Sequence, residues 1–460
     1  MTTLSFHGAA QTVTGSKYLL RCGADSLLVD CGMFQGLKSL RLKNWEPLPF
    51  DPKALGTVAL THTHVDHCGT LPRLVREGFR GPVLCTPATA ELLPIVLMDA
   101  AKLQKEDADY YNEKGLSKHK PAMPLFTEQD VQTTLGLLKP VEYGATMPVG
   151  ASIKVRFRDV GHILGSAMIE AAAEEGGKTT TVLFSGDVGR YNTPLPPDPE
   201  DPPACDYYVV ESTYGNRLHS QLKPHDELER LIQKVVASRG VLLVPAFAVG
   251  RTQQILFILQ ELENAGRVPK LPIHVDSPMA FDTTKVYMKF IANRGVRMDA
   301  VKGGGSIVGD NVKLHRSQAE SKRLADTKGP AIIISSSGML AGGRILHHMR
   351  RFMPRPTTVL ALAGYQAEGT RGRLLLEGRK TLKIFGVEVE IRGEVVDMGG
   401  FSGHADADEL MRWLSAVKAP VKKVFVTHGE MAGATALAAR LKAERGWETA
   451  VPAMHEEATL

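Results

Sequence analysis

The stretch 61-THTHVDHCG-69 places three histidines and one aspartate within six residues, His62 to His67. It ends a β-rich run, 57-TVALTHTH-64, and leads into 70-TLPRLVREGF-79, which has helical spacing. In an extended segment residues two apart face the same side, so His62 and His64 can hold one metal ion together. Asp66 and His67 fall just past the strand, at the start of the helix, and can turn toward a second ion. Imidazole and carboxylate ligands suit Zn²⁺ best, with Mn²⁺ or Fe²⁺ as alternatives. Four groups are too few for two ions. The remaining candidates are His162 in 159-DVGHILGS-166, Asp187 in 184-FSGDVGR-190 and His428 in 426-VTHGE-430. Each sits at a strand end beside glycine, where the backbone can bend close to a site. A lone histidine is ordinarily a satisfied, partly buried residue. Few structural needs place four metal-capable groups so densely and follow them with three more.

Composition sets the frame around this cluster. The 460 residues leave room for two or three domains, and 43% hydrophobic with 23% charged residues is ordinary for a globular protein. No apolar run approaches the roughly 18 residues of a membrane span. The start, MTTLSFHGAAQTVTGS, lacks a basic segment followed by an apolar one, so no signal peptide is expected. The five cysteines (Cys22, Cys31, Cys68, Cys85 and Cys205) are odd in number and form no CxxC pair. That argues for a reducing, cytoplasmic compartment and against a disulfide framework or a thiolate zinc knuckle. The net charge of +5 permits an anionic ligand without demanding one. Its distribution says more. Between Gly343 and Lys383 nine Arg or Lys face only Glu368 and Glu377. A solvated surface with Arg-rich helices would also account for that run.

Along the chain, 26-SLLVDCG-32, 154-KVRFRDVG-161, 179-TTTVLFSGD-187 and 206-DYYVVEST-213 read as strands delivering a polar residue at the C-terminal end. The rhythm changes near Tyr214. VLLVPAF (241–247) precedes the amphipathic RTQQILFILQELENAG (251–266). LPIHVDS (271–277) precedes FDTTKVYMKFIANRG (281–295), AIIISSSG (331–338) precedes GRILHHMRRF (343–352), and TVLALAGYQ (358–366) is a further strand. This alternation predicts βαβ units and a parallel sheet. After Glu394 the chain returns to strand and loop, with 395-VVDMGGFSGHAD-406 and 421-VKKVFVTHGE-430, and a last helix follows. The expected organisation is a first domain over 1–211 and 395–460, interrupted by an α/β domain over 212–394.

HTHVDH, with the later His162, Asp187 and His428, resembles the signature of the metallo-β-lactamase superfamily. The resemblance implies an αββα sandwich with two metals at the edge of its sheets. His62, His64 and His162 would hold the first zinc; Asp66, His67 and His428 the second; Asp187 would bridge them. Asp30, in LLVDCG, matches the superfamily's first motif and would orient the ligands. Glu211 in VVESTYGNR, His404 in GFSGHAD and His428 in FVTHGE resemble motifs A, B and C of the β-CASP nucleases, whose own domain is inserted after motif A. VPAFAVGRTQQIL, SSSGMLAGGR and GYQAEGTRGR extend the likeness over nearly the whole chain. A histidine in motif C goes with RNA-processing members, whereas DNA-repair members usually carry valine. Because HGAAQTVTGS opens the catalytic segment at once, neither a KH module before it nor a long extension after it, as several relatives carry, is expected. That leaves partners and sequence preference open.

The resemblance implies a zinc-dependent ribonuclease with two Zn²⁺ per chain, Mn²⁺ being the alternative, and with Asp66, Asp187, Glu211 and His404 as catalytic residues. Two zincs would supply hydroxide and neutralise phosphate charge. His404, held and kept charged by Glu211, would give the leaving ribose oxygen its proton. Ser335, Ser336 and Ser337 are candidate phosphate contacts at the start of a helix. Arg251, Arg344, Arg371 and Arg373 are candidates for the RNA backbone. Single-stranded RNA is the expected partner, in endo- or 5′-exonucleolytic mode. Family members often dimerise, and a homodimer is compatible with this. The competing readings are a DNA-acting β-CASP nuclease, a hydrolase of small esters or thioesters, and an RNA-binding scaffold that has lost its ligands. The small-ester reading leaves the inserted domain and the Glu211/His404 pair unexplained. The scaffold reading conflicts with a complete ligand set.

Overall fold

Period-two alternation builds the sheets that carry the metal motif. In 153-IKVRFRD-159, Ile153, Val155 and Phe157 are buried while Lys154 is exposed, so the strand turns one face inward. The computed structural model describes residues 1–115, 117, 119–220, 222–291 and 307–460. They form two units. One comprises Met1–Asn192, Asp198–Leu218 and His404–Leu460; the other comprises Thr193–Pro197 and His219–Gly403.

The first unit contains two seven-stranded sheets. In one, the antiparallel strands Thr3–Gly8, Lys17–Cys22 and Asp25–Val29 continue into the parallel strands Thr57–Ala59, Val83–Cys85 and Leu138–Pro140. In the other, Thr146–Val149, Ile153–Asp159, Ala167–Glu175 and Lys178–Phe184 are antiparallel neighbours. That sheet then turns parallel through Tyr207–Glu211, Lys423–Thr427 and Thr449–Ala450. The sheets share one apolar core: Leu4, Phe6, Leu20 and Val29 meet Phe157, Ile169, Phe184 and Phe425. The far face of the second sheet, with Leu183, Tyr208 and Val424, packs on Leu410, Trp413, Leu437 and Leu441 of the helices Ala407–Ser415 and Met431–Arg445. Asp406 caps the first of these by accepting from the Asp408 and Glu409 backbone amides. Helices Leu71–Arg76, Pro87–Glu113 and Glu128–Leu135 pack together beside the first sheet. This is the αββα sandwich implied by the resemblance.

The second unit is built on six parallel strands in the order Val312–Leu314, Ile273–Asp276, Ala331–Ser335, Val241–Pro245, Val359–Leu362 and Glu394–Asp397. The strands expected at 241–247, 271–277, 331–338 and 358–366 are all in it. Helices Arg251–Asn264 and Pro278–Ile291 follow their strands as the alternation implies. The last positions of the stretch read as helical to Gly295, 292–295, lie outside the described residues. Glu394–Asp397 pairs with Val359–Leu362 as the edge strand of this sheet. A short edge strand carries the same composition as a loop, so pairing alone assigns it here.

Candidate metal centre

Parallel pairing explains why ligands distant in sequence meet. Val29 pairs with Ala59, so Asp30 and the Thr61–His67 loop leave neighbouring strands at the same edge. Phe184 pairs with Val209, and Glu211 with Thr427, so Asp187, Glu211 and His428 leave three adjacent parallel strands at one edge. His404 joins them through a bridge to Gly189. Gly186, at φ 57°, makes the bend to Asp187, and a Cβ there would lie 2.9 Å from Thr61 Cβ.

The seven expected ligands form two groups that meet at Asp187. In the first, one ligand atom from each of His62, His64, His162 and Asp187 lies within 4.8 Å of all the others. His62 Nε2 is 3.0 Å from His64 Nδ1, His162 Nε2 is 3.3 Å from it, and Asp187 Oδ2 is 3.4 Å from His62 Nε2. In the second, His67 Nε2 is 3.1 Å from His428 Nε2, and Asp66 Oδ2 is 3.6 Å from His428 Nε2. Asp187 Oδ1 is 3.2 Å from His67 Nε2, so the carboxylate offers one oxygen to each group. A tetrahedral zinc roughly 2.0–2.1 Å from each nitrogen sets neighbouring ligand atoms about 3.3 Å apart. The donor types and spacings therefore fit metal ions in both groups.

Electrostatics agree. Burial lowers the His62 pKa, with His67 adding to the effect, and burial and His62 lower that of His64 to about 3. His162 falls well below its ordinary range through burial and His404. These rings are held neutral, the form that binds metal. His67 is different. Burial opposes its charge, but Asp187 and Asp30 outweigh burial and raise it well above the usual value. Burial also opposes ionisation of Asp187, and the histidines around it, His428 and His67 first, hold it well below the carboxylate range. Cation deficiency at a cluster of carboxylates is what a divalent ion relieves.

Asp30, expected to orient the ligands, lies against one of them. Its Oδ2 lies 2.7 Å from His67 Nδ1, which turns His67 Nε2 into the cluster, and Thr61 N and Oγ1 and Ser16 Oγ donate to the same carboxylate. Thr213 Oγ1 lies 3.2 Å from His428 Nδ1. Ser16, Thr61 and Thr213 carry no sequence signal of this role, since hydroxyls are common at strand ends. Glu211 accepts from Val188 N at 2.7 Å and lies 3.1 Å from His404 Nδ1. Burial opposes charge on His404, but Glu211 and Asp187 overcome it and raise its pKa to about 9.

The expected RNA contacts, all in the second unit, are distributed differently. Ser335 is 1% exposed and its hydroxyl donates to the Asp276 carbonyl, so it faces inward rather than toward a ligand. Arg344 donates to Asp276 Oδ1 at 2.8 Å and to the His315 and Arg316 carbonyls, which makes it a brace for this loop. Ser336 donates to Ser277 Oγ, and Ser337 Oγ accepts from Ala341 N. Arg371 donates to the Leu340 and Ala341 carbonyls of the same loop. Arg251 and Arg373 lie elsewhere, against Gln254 and Glu377. Asp276, which also binds His348 Nε2 at 2.7 Å and Ser321 Oγ at 2.6 Å, is the hub that sequence reasoning missed. Its signal was present, as the polar end of the 273-IHVD-276 strand.

Family models match the chain in three segments: the metallo-beta-lactamase superfamily over 13–228, the Beta-Casp domain over 252–375, and the Zn-dependent metallo-hydrolase RNA specificity domain over 388–452. Ribonuclease TTHA0252 of Thermus thermophilus is 38% identical over 450 residues, covering 96% of this chain and 96% of the relative. The chain belongs to the β-CASP family of the metallo-β-lactamase superfamily. As a β-CASP protein it is a metal-dependent hydrolase. The RNase J-like protein of Methanocaldococcus jannaschii is 32% identical, covering 94% of this chain and 93% of that one. A crystal structure of a protein of unknown function from Enterococcus faecalis shares the fold at a TM-score of 0.54 and 12% identity, over 100% of both chains.

Proposed function

We propose that this β-CASP protein is a zinc-dependent ribonuclease that hydrolyses phosphodiester bonds of single-stranded RNA. The observation carrying this reading is Asp187, whose two oxygens each face one complete ligand group beside the Glu211–His404 pair. His62, His64, His162 and Asp187 would hold one zinc, and Asp66, His67, His428 and Asp187 the other. Zinc bound there supplies a Lewis acid that makes hydroxide available near neutral pH and offsets phosphate charge. The chain's own residues do the rest. Asp30 and Thr213 keep His67 and His428 turned inward. As the bond from phosphorus to the leaving ribose oxygen breaks, His404 gives that oxygen the proton on Nε2. Its Nδ1 stays against Glu211 Oε1, which fixes the tautomer and favours the imidazolium. Five of the seven ligands are buried, with His64 and Asp66 partly exposed, which suits an extended single strand better than a paired duplex. All five cysteines are buried and free of disulfides, in keeping with a reducing cytoplasm.

The test is a time course on 5′-labelled single-stranded RNA with zinc-loaded protein, beside Asp187→Ala and a chelator control. Metal-dependent fragments absent from the variant are expected. Scattered internal products identify endonuclease action, and mononucleotide released at once from the labelled end identifies a 5′ exonuclease. Equal cleavage of a matched DNA oligonucleotide, or none of the RNA with two metals bound, would overturn the assignment.

A further inference from the structure

Away from the metal ligands, the first unit contains a cavity of about 160 Å³ to which the mechanism assigns no role. Its walls carry five basic or imidazole groups, His7, Lys17, Lys43, Arg73 and His455, against one carboxylate, Glu46. Phe34 and Leu48 supply an apolar surface within it.

The walls are built. Arg73 donates to the Asn44 and Glu46 carbonyls, and Asn44 exchanges two 2.8 Å hydrogen bonds with the Phe34 backbone. Lys17 is 4% exposed, with its ammonium 4.9 Å from the Phe34 ring centroid, and burial lowers its pKa only to about 8. His7 is 9% exposed, and its Nε2 is buried with no hydrogen-bond partner. Its Nδ1 lies 3.2 Å from His455 Nδ1, so the two rings share one proton across this wall of the cavity. Lys17, Lys43 and Arg73 outnumber the one carboxylate around an enclosed apolar floor, an imbalance that a bound anion would offset.

We propose that this cavity binds a small organic anion, a phosphate or carboxylate headgroup on a compact apolar body. The headgroup oxygens accept from Lys17 and Lys43, and the body lies against Phe34 and Leu48. The open rim, with exposed Glu46 and His455, admits the ligand from solvent.

Calorimetric titration of the zinc-loaded full chain with uridine 5′-monophosphate, benzoate and inorganic phosphate, each alone, tests this. Saturable binding of an organic anion is expected, with inorganic phosphate weaker by roughly tenfold because it lacks the apolar body. Binding of the nucleotide alone would identify a nucleotide ligand; binding of benzoate as well would identify carboxylates. Lys43→Ala and Lys17→Met should each weaken binding by roughly tenfold. Lys43 is partly exposed, so its variant keeps the test valid where Lys17→Met fails to fold. Asp187→Ala should leave the affinity unchanged. The proposal fails if no probe binds saturably. It fails equally if Asp187→Ala abolishes binding while Lys43→Ala retains it, since the anion would then sit on the metal ligands.

Discussion

The polar groups of the two units are organised on opposite principles. At the metal centre, imidazoles and carboxylates converge ligand atom on ligand atom, with ring nitrogens 3.0 to 3.3 Å apart. Around the Ser335–Arg344 loop, polar groups are matched to one another: carboxylate to guanidinium, hydroxyl to carbonyl. The first arrangement is incomplete without a cation. The second is complete as it stands and holds a loop in shape. Crowding of like groups is what a metal site needs, and mutual satisfaction is what a scaffold needs.

The sharpest way to break this contrast is Asp187→Ala. Cleavage should fall to background and bound metal should drop, read by elemental analysis beside the RNA time course; full activity with metal retained would remove Asp187 from the centre. His404→Ala should lower kcat by about 10²–10⁴-fold with metal content unchanged. Near-normal turnover would dismiss it as the proton donor. Asp30→Asn acts one step further out. It should weaken zinc binding by about 10–100-fold in competition with a chelator, because His67 loses the partner that turns Nε2 inward.

In the second unit the effect moves from chemistry to stability. Arg344→Gln leaves the buried Asp276 short of a cation and should cost about 3 kcal/mol in denaturant unfolding, leaving metal content untouched. Unchanged stability would show that His348 and Ser321 alone satisfy Asp276. The smallest effect concerns Arg371, which retains exposed surface. Its neutralisation should reduce the slope of log affinity against log salt by about one, while Arg344→Gln leaves the slope alone.

How much could be read in advance follows from residue chemistry. HTHVDH is legible because no common structural need puts three histidines and an aspartate in six positions. His162, Asp187 and His428 each stand beside glycine at a strand end. The parallel sheet of the second unit is legible because buried strands such as 331-AIIIS-335 are continuous apolar runs between helices. Ser335 and Arg344 misled because a hydroxyl or a guanidinium serves a phosphate and a carboxylate equally well. The 27-residue helix Pro87–Glu113 and the hairpin of Thr381–Ile384 with Val387–Glu390 carried too weak a pattern to be singled out.

The sequence by itself determined the ligand types, their grouping along the chain and the fold class they require. Strong donors at short spacing and apolar periodicity are local properties. The family resemblance implied that Asp187 bridges the groups and that Glu211 holds His404; only the tertiary structure decided which oxygen faces which group and that Asp276 engages Arg344. Those outcomes depend on strand register and on which partner lies within hydrogen-bond reach. Neighbours such as Glu211 and His404, 193 positions apart, are set by the sheet rather than by either residue.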